Sequence, residues 1–143
     1  MLHSIQRRLA LLVLTCVSLG SVHANENVIE GMNDYLAFQD YESGIMTPQQ
    51  IDKMVFEAST FVDTRDAQQY EAATIPGAIN IEWREVLERL DEIPREGKVI
   101  LFCNTGSLSA QATFALRVAG RENAVVLQTG FIGWQRDAAY KPQ

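Results

Sequence analysis

The chain has 143 residues, of which 12 are lysine or arginine and 18 are aspartate or glutamate, and its formal net charge at pH 7 is −6. This length suits one domain of ordinary size. An acidic chain repels phosphate backbones and anionic lipid headgroups, so the composition argues against nucleic acid or a membrane surface as a partner.

The first 24 residues have the layout of a cleavable secretion signal. Two arginines precede an apolar run at residues 9–19, and Val22-His23-Ala24 offers a small-residue cleavage site. The run is too short to span a membrane as a helix. We therefore expect a periplasmic protein from which residues 1–24 are removed. Cys16 lies in this run and would bring a membrane attachment only if it were lipidated, but the residues before it match a lipoprotein cleavage box poorly.

Removal of residues 1–24 would leave 119 residues with a formal net charge of −8, no histidine and a single cysteine, Cys103. The lack of histidine excludes hydrolase mechanisms that pair histidine with cysteine or serine, and it removes the commonest zinc ligand. One cysteine cannot form an internal disulfide. A lone thiol in an oxidising compartment is a hazard unless it is buried or has a function.

Residues 25–46 are predicted to form an N-terminal arm with a short helix at residues 28–38, and residues 47–143 to form the folded domain. The segment Thr47-Pro48-Gln49-Gln50 is a helix start signal, which predicts a helix that ends near Ala58. Residues 60–63 then predict a strand, and residues 67–72 a helix of one or two turns.

The second half of the chain continues this alternation. A turn at residues 75–77 precedes a predicted strand at residues 78–81, and residues 83–90 have apolar side chains at helical spacing. A break at residues 93–97 leads into a buried strand at residues 98–103. The helix expected at residues 108–119 is nearly all apolar, so we expect it to be buried, with Gly120 as its C-cap. A strand at residues 124–127 and a helix at residues 131–138 complete the pattern.

Helices that alternate with short apolar strands predict a single α/β domain with a mainly parallel sheet covered on both faces. In such sheets, ligands bind beyond the carboxyl ends of the strands. Asp63 and Cys103 are both predicted to stand at such ends.

The position of Cys103 suits a reactive thiolate. A helix N-terminus stabilises an anion by about 0.3–1 kcal/mol, which is less than the roughly 2.7 kcal/mol needed to lower a pKa by two units. Main-chain amides of the loop at residues 104–107 would have to bind the sulfur as well. Gly106 lets these amides turn inward, and Ser107 and Ser109 can add hydroxyl donors. The alternative is a small buried cysteine that only ends a core strand.

Four segments in order resemble the rhodanese family of sulfurtransferases, and the small single-domain periplasmic members are the nearest match. Residues 61–65 (Phe-Val-Asp-Thr-Arg), followed by Tyr70, resemble one family motif, and residues 75–80 (Ile-Pro-Gly-Ala-Ile-Asn) resemble the next. Residues 103–109 (Cys-Asn-Thr-Gly-Ser-Leu-Ser) lie where the family has its active-site loop. Residues 130–134 (Gly-Phe-Ile-Gly-Trp) are similar to its carboxyl-terminal signature.

The resemblance implies a five-stranded rhodanese-like domain and a persulfide mechanism. Cys103 would attack the outer sulfur of a small anionic donor such as thiosulfate, or of another persulfide source, and pass this sulfur to cyanide or a thiol. It implies no metal and no organic cofactor. The residues expected to bind the substrate are Asn104, Thr105, Gly106, Ser107, Leu108 and Ser109 of the loop, with Arg65 and Asp63 from the earlier motif.

The chain departs from the family pattern at Ser107 and Leu108, where thiosulfate-using members commonly carry arginine or lysine. This departure favours the alternative of a sulfur carrier or protein-binding module without turnover, or a donor beside Leu108 that is larger or uncharged. Arg65 and Arg84 could approach the mouth of the site, although we expect Arg65 to pair with a carboxylate and Arg84 to lie solvated on a helix. A cysteine phosphatase or arsenate reductase would need an arginine after the loop, and residues 104–116 contain none.

Overall fold

Five short strands form a parallel sheet at the centre of the structure, a computed structural model that describes residues 26–142. The strands are β1 (Ile45–Met46), β2 (Ser59–Asp63), β3 (Ile79–Asn80), β4 (Lys98–Phe102) and β5 (Ala124–Leu127). They lie in the order β1-β5-β4-β2-β3, and every neighbouring pair is parallel. The predicted fold class is therefore confirmed. The predicted signal segment and Cys16 lie outside the described residues.

Five helices and two 3-10 turns connect the strands. The helices are α1 (Glu26–Ala37), α2 (Lys53–Ala58), α3 (Ala67–Ala72), α4 (Ser107–Val118) and α5 (Gly130–Asp137), and the 3-10 turns are Pro48–Gln50 and Leu90–Glu92. Over residues 26–142, none of these helices has both the length and the apolar character that a membrane crossing requires. Gly120 closes α4 as predicted, with φ +86° and a hydrogen bond from its N–H to the Arg117 carbonyl.

The core has one layer on each face of the sheet, as the alternating side chains of β4 show. Val99 and Leu101 point into a cluster that also holds Ala112 and Leu116 of α4. Ile100 and Phe102 point into the opposite cluster, which contains residues of α5 and is contacted by α2. Because successive residues of a strand face opposite sides, a strand buried on both sides is apolar throughout. This explains why the sequence of β4 is a continuous apolar run after Lys98.

The helix predicted from Thr47 to Ala58 is wrong in its first half. The capping box is present, with the Thr47 N–H donating to Gln50 Oε1 at 2.7 Å, but it closes only a 3-10 turn. Ile51 then leaves helical geometry (φ −92°, ψ 82°) and is completely buried. Asp52 starts α2 separately, because its side chain accepts a hydrogen bond from the Val55 N–H at 2.8 Å. Burial of Ile51 thus accompanies the break between two short turns.

Residues 83–89 form consecutive turns that lead into the 3-10 turn Leu90–Glu92, rather than the helix that the apolar spacing of residues 83–90 suggested. The Trp83 N–H donates to the Thr64 carbonyl at 3.0 Å, which ties the start of this segment to the chain after β2. Val86 is buried, whereas Leu87 is 48% exposed. The apolar spacing therefore reflects single side chains packed on the sheet and not one continuous helical face.

The edge strand β1 was not predicted as a strand, and it lies within the segment predicted to be the arm. Two residues give no periodic pattern, so pairing with β5 defines this strand and not its own sequence. The arm also supplies α1, whose Tyr35 ring meets the Phe114 ring of α4 edge to face at 5.5 Å. Arg117 Nε donates to the Tyr35 hydroxyl at 2.8 Å. The expectation that α4 is buried throughout is wrong, since Leu108, Ala110 and Gln111 are exposed.

Candidate active site

The loop after β4 reverses direction at Gly106 and starts α4. Gly106 is the N-cap of α4 and has φ +97°, a left-handed conformation that glycine adopts without a Cβ penalty. A Cβ at this position would also lie 3.2 Å from the Leu127 carbonyl oxygen of β5. This turn therefore depends on glycine, and it brings the first amides of α4 towards Cys103.

The Cys103 sulfur is surrounded by hydrogen-bond donors. The Gly106 N–H donates to Sγ at 3.2 Å, and the Ser109 hydroxyl lies 3.6 Å from it. Burial by itself raises the pKa of the thiol. Hydrogen bonds from the amide and hydroxyl of Ser109 and from the amides of Thr105 and Leu108 outweigh this effect, so the pKa of Cys103 lies below its ordinary value. These are the contacts that a thiolate at this position requires.

The two serine hydroxyls of the loop differ in their contacts. The Ser109 hydroxyl can donate either to Cys103 Sγ or to the Gly106 carbonyl, which is 3.1 Å away. It has only one proton, and an ionised sulfur is the stronger acceptor, so ionisation of Cys103 favours the bond to sulfur. The Ser107 hydroxyl instead lies 3.3 Å from the Thr105 hydroxyl and is not seen to donate to Cys103. The expectation of a second hydroxyl donor to the sulfur is not met.

Cys103 has access to solvent through a cleft of about 400 Å³, although the residue as a whole is only 3% exposed. The cleft is lined by Thr64, Arg65, Asp66, Gln69, Glu82, Trp83, Arg84, Cys103, Asn104, Thr105 and Leu108. A cavity of this size holds a small molecule. Cys103 can therefore be reached by a ligand in the cleft, although the surrounding protein shields most of the residue from water.

A buried ion pair supports the loop from below. Arg65 donates to both Asp63 carboxylate oxygens, from Nε at 2.9 Å and from Nη2 at 2.6 Å. Its Nη1 donates to the Asn104 side-chain oxygen at 3.2 Å, so the pair is linked to the residue that follows Cys103. Asp63 is completely buried, and it also accepts a hydrogen bond from the Thr74 hydroxyl at 2.8 Å. As expected, Asp63 pairs with Arg65.

The start of α5 holds the other side of the same loop. The Phe131 N–H donates to the Cys103 carbonyl at 2.7 Å, and the Ile132 N–H donates to the Asn104 carbonyl at 3.1 Å. Gly130 comes so close that a Cβ there would lie 2.3 Å from the Cys103 carbonyl oxygen. The Phe131 ring lies under the Arg65 guanidinium, 4.6 Å from its centroid. The segment resembling the family's carboxyl-terminal signature therefore positions the loop.

The structure brings five of the nine residues predicted for the site to the cleft lining. These are Arg65, Cys103, Asn104, Thr105 and Leu108. The other four do not line the cleft: Asp63 lies behind Arg65, Gly106 and Ser109 face the sulfur from inside the loop, and Ser107 is on the exposed side of the turn. Their contacts fit a supporting role better than direct contact with substrate.

Sequence reasoning missed most of the opposite wall of the cleft. Thr64 and Asp66 follow β2, and Glu82 and Trp83 follow β3. The rule that ligands bind beyond the carboxyl ends of parallel strands could have found them, because β2 and β3 end at the same edge of the sheet as β4. Gln69 is the remaining lining residue, and its side-chain oxygen accepts from Asn104 Nδ2 at 2.6 Å.

Arg84 also lines this wall, and it is not on a helix as expected. Its side chain is 73% exposed and pairs with Glu82 at 3.0 Å. The prediction that Arg84 is solvated is thus confirmed, but the preference for a position away from the site is not, because this residue lines the cleft. Across residues 26–142, no cluster of three or more histidine, cysteine, aspartate or glutamate side chains could hold a metal ion.

Comparison with known proteins agrees with this geometry. The sequence profile of the family described as rhodanese-like domain matches residues 47–137. Thiosulfate sulfurtransferase PspE of Escherichia coli is 37% identical over 68 residues, which are 46% of this chain and 65% of that protein. A sulfurtransferase of Allochromatium vinosum is 31% identical over 75 residues, which are 52% of this chain and 70% of that protein.

A rhodanese-related protein from Thermoplasma volcanium has a similar crystal structure, with a TM-score of 0.60 and 25% sequence identity over 65% of this chain and 91% of that one. Several other curated relatives are longer proteins, and the chain spans only 19% to 42% of their length. The matched profile covers most of the described domain, including Cys103, its loop and the start of α5. The chain therefore belongs to the rhodanese-like domain family.

Proposed function

We propose that this protein is a sulfurtransferase in which Cys103 carries a sulfane sulfur as a persulfide. The observation that carries this proposal is the ring of donors around Cys103 Sγ at the base of an open cleft. The relatives named as sulfurtransferases support it. The layout of residues 1–24 supports an exported, periplasmic location.

In the first half-reaction, the Cys103 thiolate attacks the outer sulfur of a donor such as thiosulfate. The sulfur–sulfur bond of the donor breaks, and sulfite leaves with the bonding electron pair. Cys103 is then a persulfide anion. The reactants, a thiolate and thiosulfate, and the products, a persulfide anion and sulfite, each carry three negative charges in total. In this proposal, the amides that lower the thiol pKa also stabilise the negative charge of the persulfide.

In the second half-reaction, an acceptor thiolate or cyanide attacks the terminal sulfur. The bond between this sulfur and Cys103 Sγ breaks, and Sγ recovers its electron pair as a thiolate. A thiol with a lowered pKa is a better leaving group, so the same hydrogen bonds favour both half-reactions. No other side chain has to transfer a proton when donor and acceptor arrive as anions.

The proposal is tested by measuring the intact mass of the protein after exposure to thiosulfate and, separately, to a small alkyl persulfide. We expect the mass of one added sulfur atom on the wild-type protein and its removal by cyanide. Cys103→Ser is the matched control and should gain nothing. A wild-type protein that gains no sulfur from either donor would contradict the proposal.

A second candidate is a sulfur carrier or binding module without turnover, which the absence of arginine and lysine from the loop favours. A carrier gains one sulfur atom per molecule but does not release it to cyanide or to small thiols in repeated cycles. Steady-state formation of thiocyanate from thiosulfate and cyanide therefore separates the two candidates. Several turnovers per molecule support the enzyme, and a single stoichiometric transfer supports the carrier.

A further inference from the structure

Arg65 cannot serve as the cation that holds an anionic donor. Its Nε and Nη2 donate to Asp63, its Nη2 also donates to the Ala73 carbonyl at 2.6 Å, and its Nη1 donates to Asn104. The Asp63 carboxylate neutralises its charge, and the arginine is only 6% exposed. A substrate that bound to this guanidinium would have to displace buried partners.

Arg84 is placed differently. Of its guanidinium nitrogens only Nε is engaged, with the two Glu82 carboxylate oxygens at 3.0 and 3.1 Å. Its two terminal nitrogens, Nη1 and Nη2, have no hydrogen-bond partner within residues 26–142. This pair of nitrogens forms a planar fork that suits the two oxygens of a carboxylate. The guanidinium carbon lies 5.9 Å from the centroid of the Trp83 ring, and both residues line the cleft.

The remaining charges of the cleft disfavour a donor with two negative charges. Asp66 and Glu82 both line it, and of the two arginines there Arg65 is neutralised by Asp63. Once Cys103 is ionised, the cleft is net negative. A thiosulfate dianion would meet this field with only Arg84 to offset it, whereas a donor with a single negative charge would meet less repulsion.

The wall beside the sulfur is partly apolar. Leu108 lines the cleft and is 40% exposed, so it presents an apolar surface rather than a cation for a sulfonate. Trp83, which is next to Arg84 in the chain, also lines the cleft. Apolar surface next to an exposed arginine whose two terminal nitrogens are unengaged fits a molecule with a short hydrocarbon body and one anionic end. Thiosulfate has no hydrocarbon body and leaves this surface unused.

We infer that the preferred donor is a small organic persulfide with one carboxylate, which Arg84 binds through Nη1 and Nη2 while Leu108 and Trp83 contact its hydrocarbon body. This inference rests on the proposed function and adds the class of donor. The Cys103 thiolate attacks the outer sulfur of the protonated persulfide, RSSH, in which the carboxylate is the one negative charge. The bond between the two sulfurs of the donor breaks, RS⁻ leaves with the electron pair, and Cys103 becomes CysSSH, so atoms and charge balance.

The test compares the rate of sulfur gain on Cys103 from three donors: the persulfide of 3-mercaptopropionate, the persulfide of its methyl ester, and thiosulfate. We expect the carboxylate donor to react fastest with the wild-type protein. Arg84→Gln should slow the carboxylate donor about two- to fivefold, which is the scale of an exposed ion pair, and should leave the ester donor unchanged. Arg84→Lys should retain part of the preference, because it keeps the charge but loses the planar fork.

Arg136→Gln is the matched control, since Arg136 is an exposed arginine paired with a neighbouring carboxylate and does not line the cleft. It should leave all three rates unchanged. Equal wild-type rates for the acid and ester donors would overturn the inference while leaving the proposed function intact, and so would an equal effect of Arg84→Gln on both. No sulfur gain from any of the three donors would overturn the proposed function and the inference together.

Discussion

Arg65 and Asp63 form a buried ion pair that positions the loop after Cys103. The carboxylate is completely buried, and the guanidinium is its main partner. Because Arg65 also binds the side chain of Asn104, the pair connects the end of β2 to the loop that begins at Cys103. Removal of one member of such a pair leaves an uncompensated buried charge, which is far more costly than the net value of the intact pair.

We therefore predict that Arg65→Ala lowers the free energy of unfolding by about 3–5 kcal/mol. Urea unfolding followed by circular dichroism measures this change, provided that the dependence on urea concentration stays constant. Arg136→Ala removes an arginine from an exposed pair and should leave the midpoint unchanged. Equal midpoints for the two variants would show that the buried pair contributes nothing specific.

Leu108 lines the cleft and offers no charge to an anionic donor such as thiosulfate. Leu108→Arg places a cation at the cleft and should raise the rate of sulfur gain from thiosulfate by roughly three- to tenfold, because a charge-assisted bond to the sulfonate becomes available. Leu87→Arg is the control, since Leu87 is similarly exposed, at 48% compared with 40%, and does not line the cleft. Unchanged kinetics in Leu108→Arg would mean that thiosulfate does not approach this side chain.

The loop that begins at Cys103 is held by two elements that follow it in the chain. The first turn of α4 supplies the donors to the sulfur, and the start of α5 supplies donors to the carbonyls of Cys103 and Asn104. The first of these contacts could be predicted, because α4 follows β4 directly. The second could not, because nothing in the composition of residues 130–134 indicates which loop the start of α5 will meet.

Gly130 provides a direct test of this second contact. Gly130→Ala would put a Cβ 2.3 Å from the Cys103 carbonyl oxygen at a backbone φ of +56°, so we expect a loss of about 2–4 kcal/mol in unfolding free energy and an altered rate of Cys103 alkylation. Gly77→Ala has a comparable φ of +82° but no atom within 4 Å of the added Cβ. It should cost only about 1–2 kcal/mol of backbone strain and leave alkylation unchanged. Identical alkylation in both variants would contradict the positioning role of α5.

The whole molecule depends on β4, which lies at the centre of the sheet and leads directly into Cys103. Its neighbours β2 and β5 pair with it on either side, and its side chains enter both core layers. A change in β4 should consequently be felt by the entire fold as one cooperative unit.

Leu101→Ala tests this expectation, because Leu101 is completely buried. We predict a loss of about 2–5 kcal/mol in a single unfolding transition, followed together by fluorescence and circular dichroism. Leu36→Ala changes a leucine of α1 that is 60% exposed, and it should have little effect. Separate transitions from the two probes would show that the layers unfold independently.

The fold class, four of the five strands and the place of Cys103 could be predicted from the sequence, since apolar runs, turn residues and helix caps are local signals. The strand Ile45–Met46 could not, because a two-residue strand is defined by its partner. The helix break at Ile51 and the turns after Trp83 were missed for a similar reason, as tertiary burial there outweighs local spacing. Apart from Thr64, the residues of the opposite wall of the cleft belong to no motif, and their position there is set by the ends of β2 and β3 in the sheet.

The most direct test of the account is the rate of Cys103 alkylation by iodoacetamide as a function of pH. A lowered pKa means that the thiol loses its proton at a lower pH, so the midpoint of the curve should lie below that of a free cysteine. Ser109→Ala should move the midpoint upwards, and Ser107→Ala should not, because only Ser109 lies within reach of the sulfur. A wild-type midpoint at or above that of free cysteine would contradict the claim that this loop holds Cys103 as a thiolate.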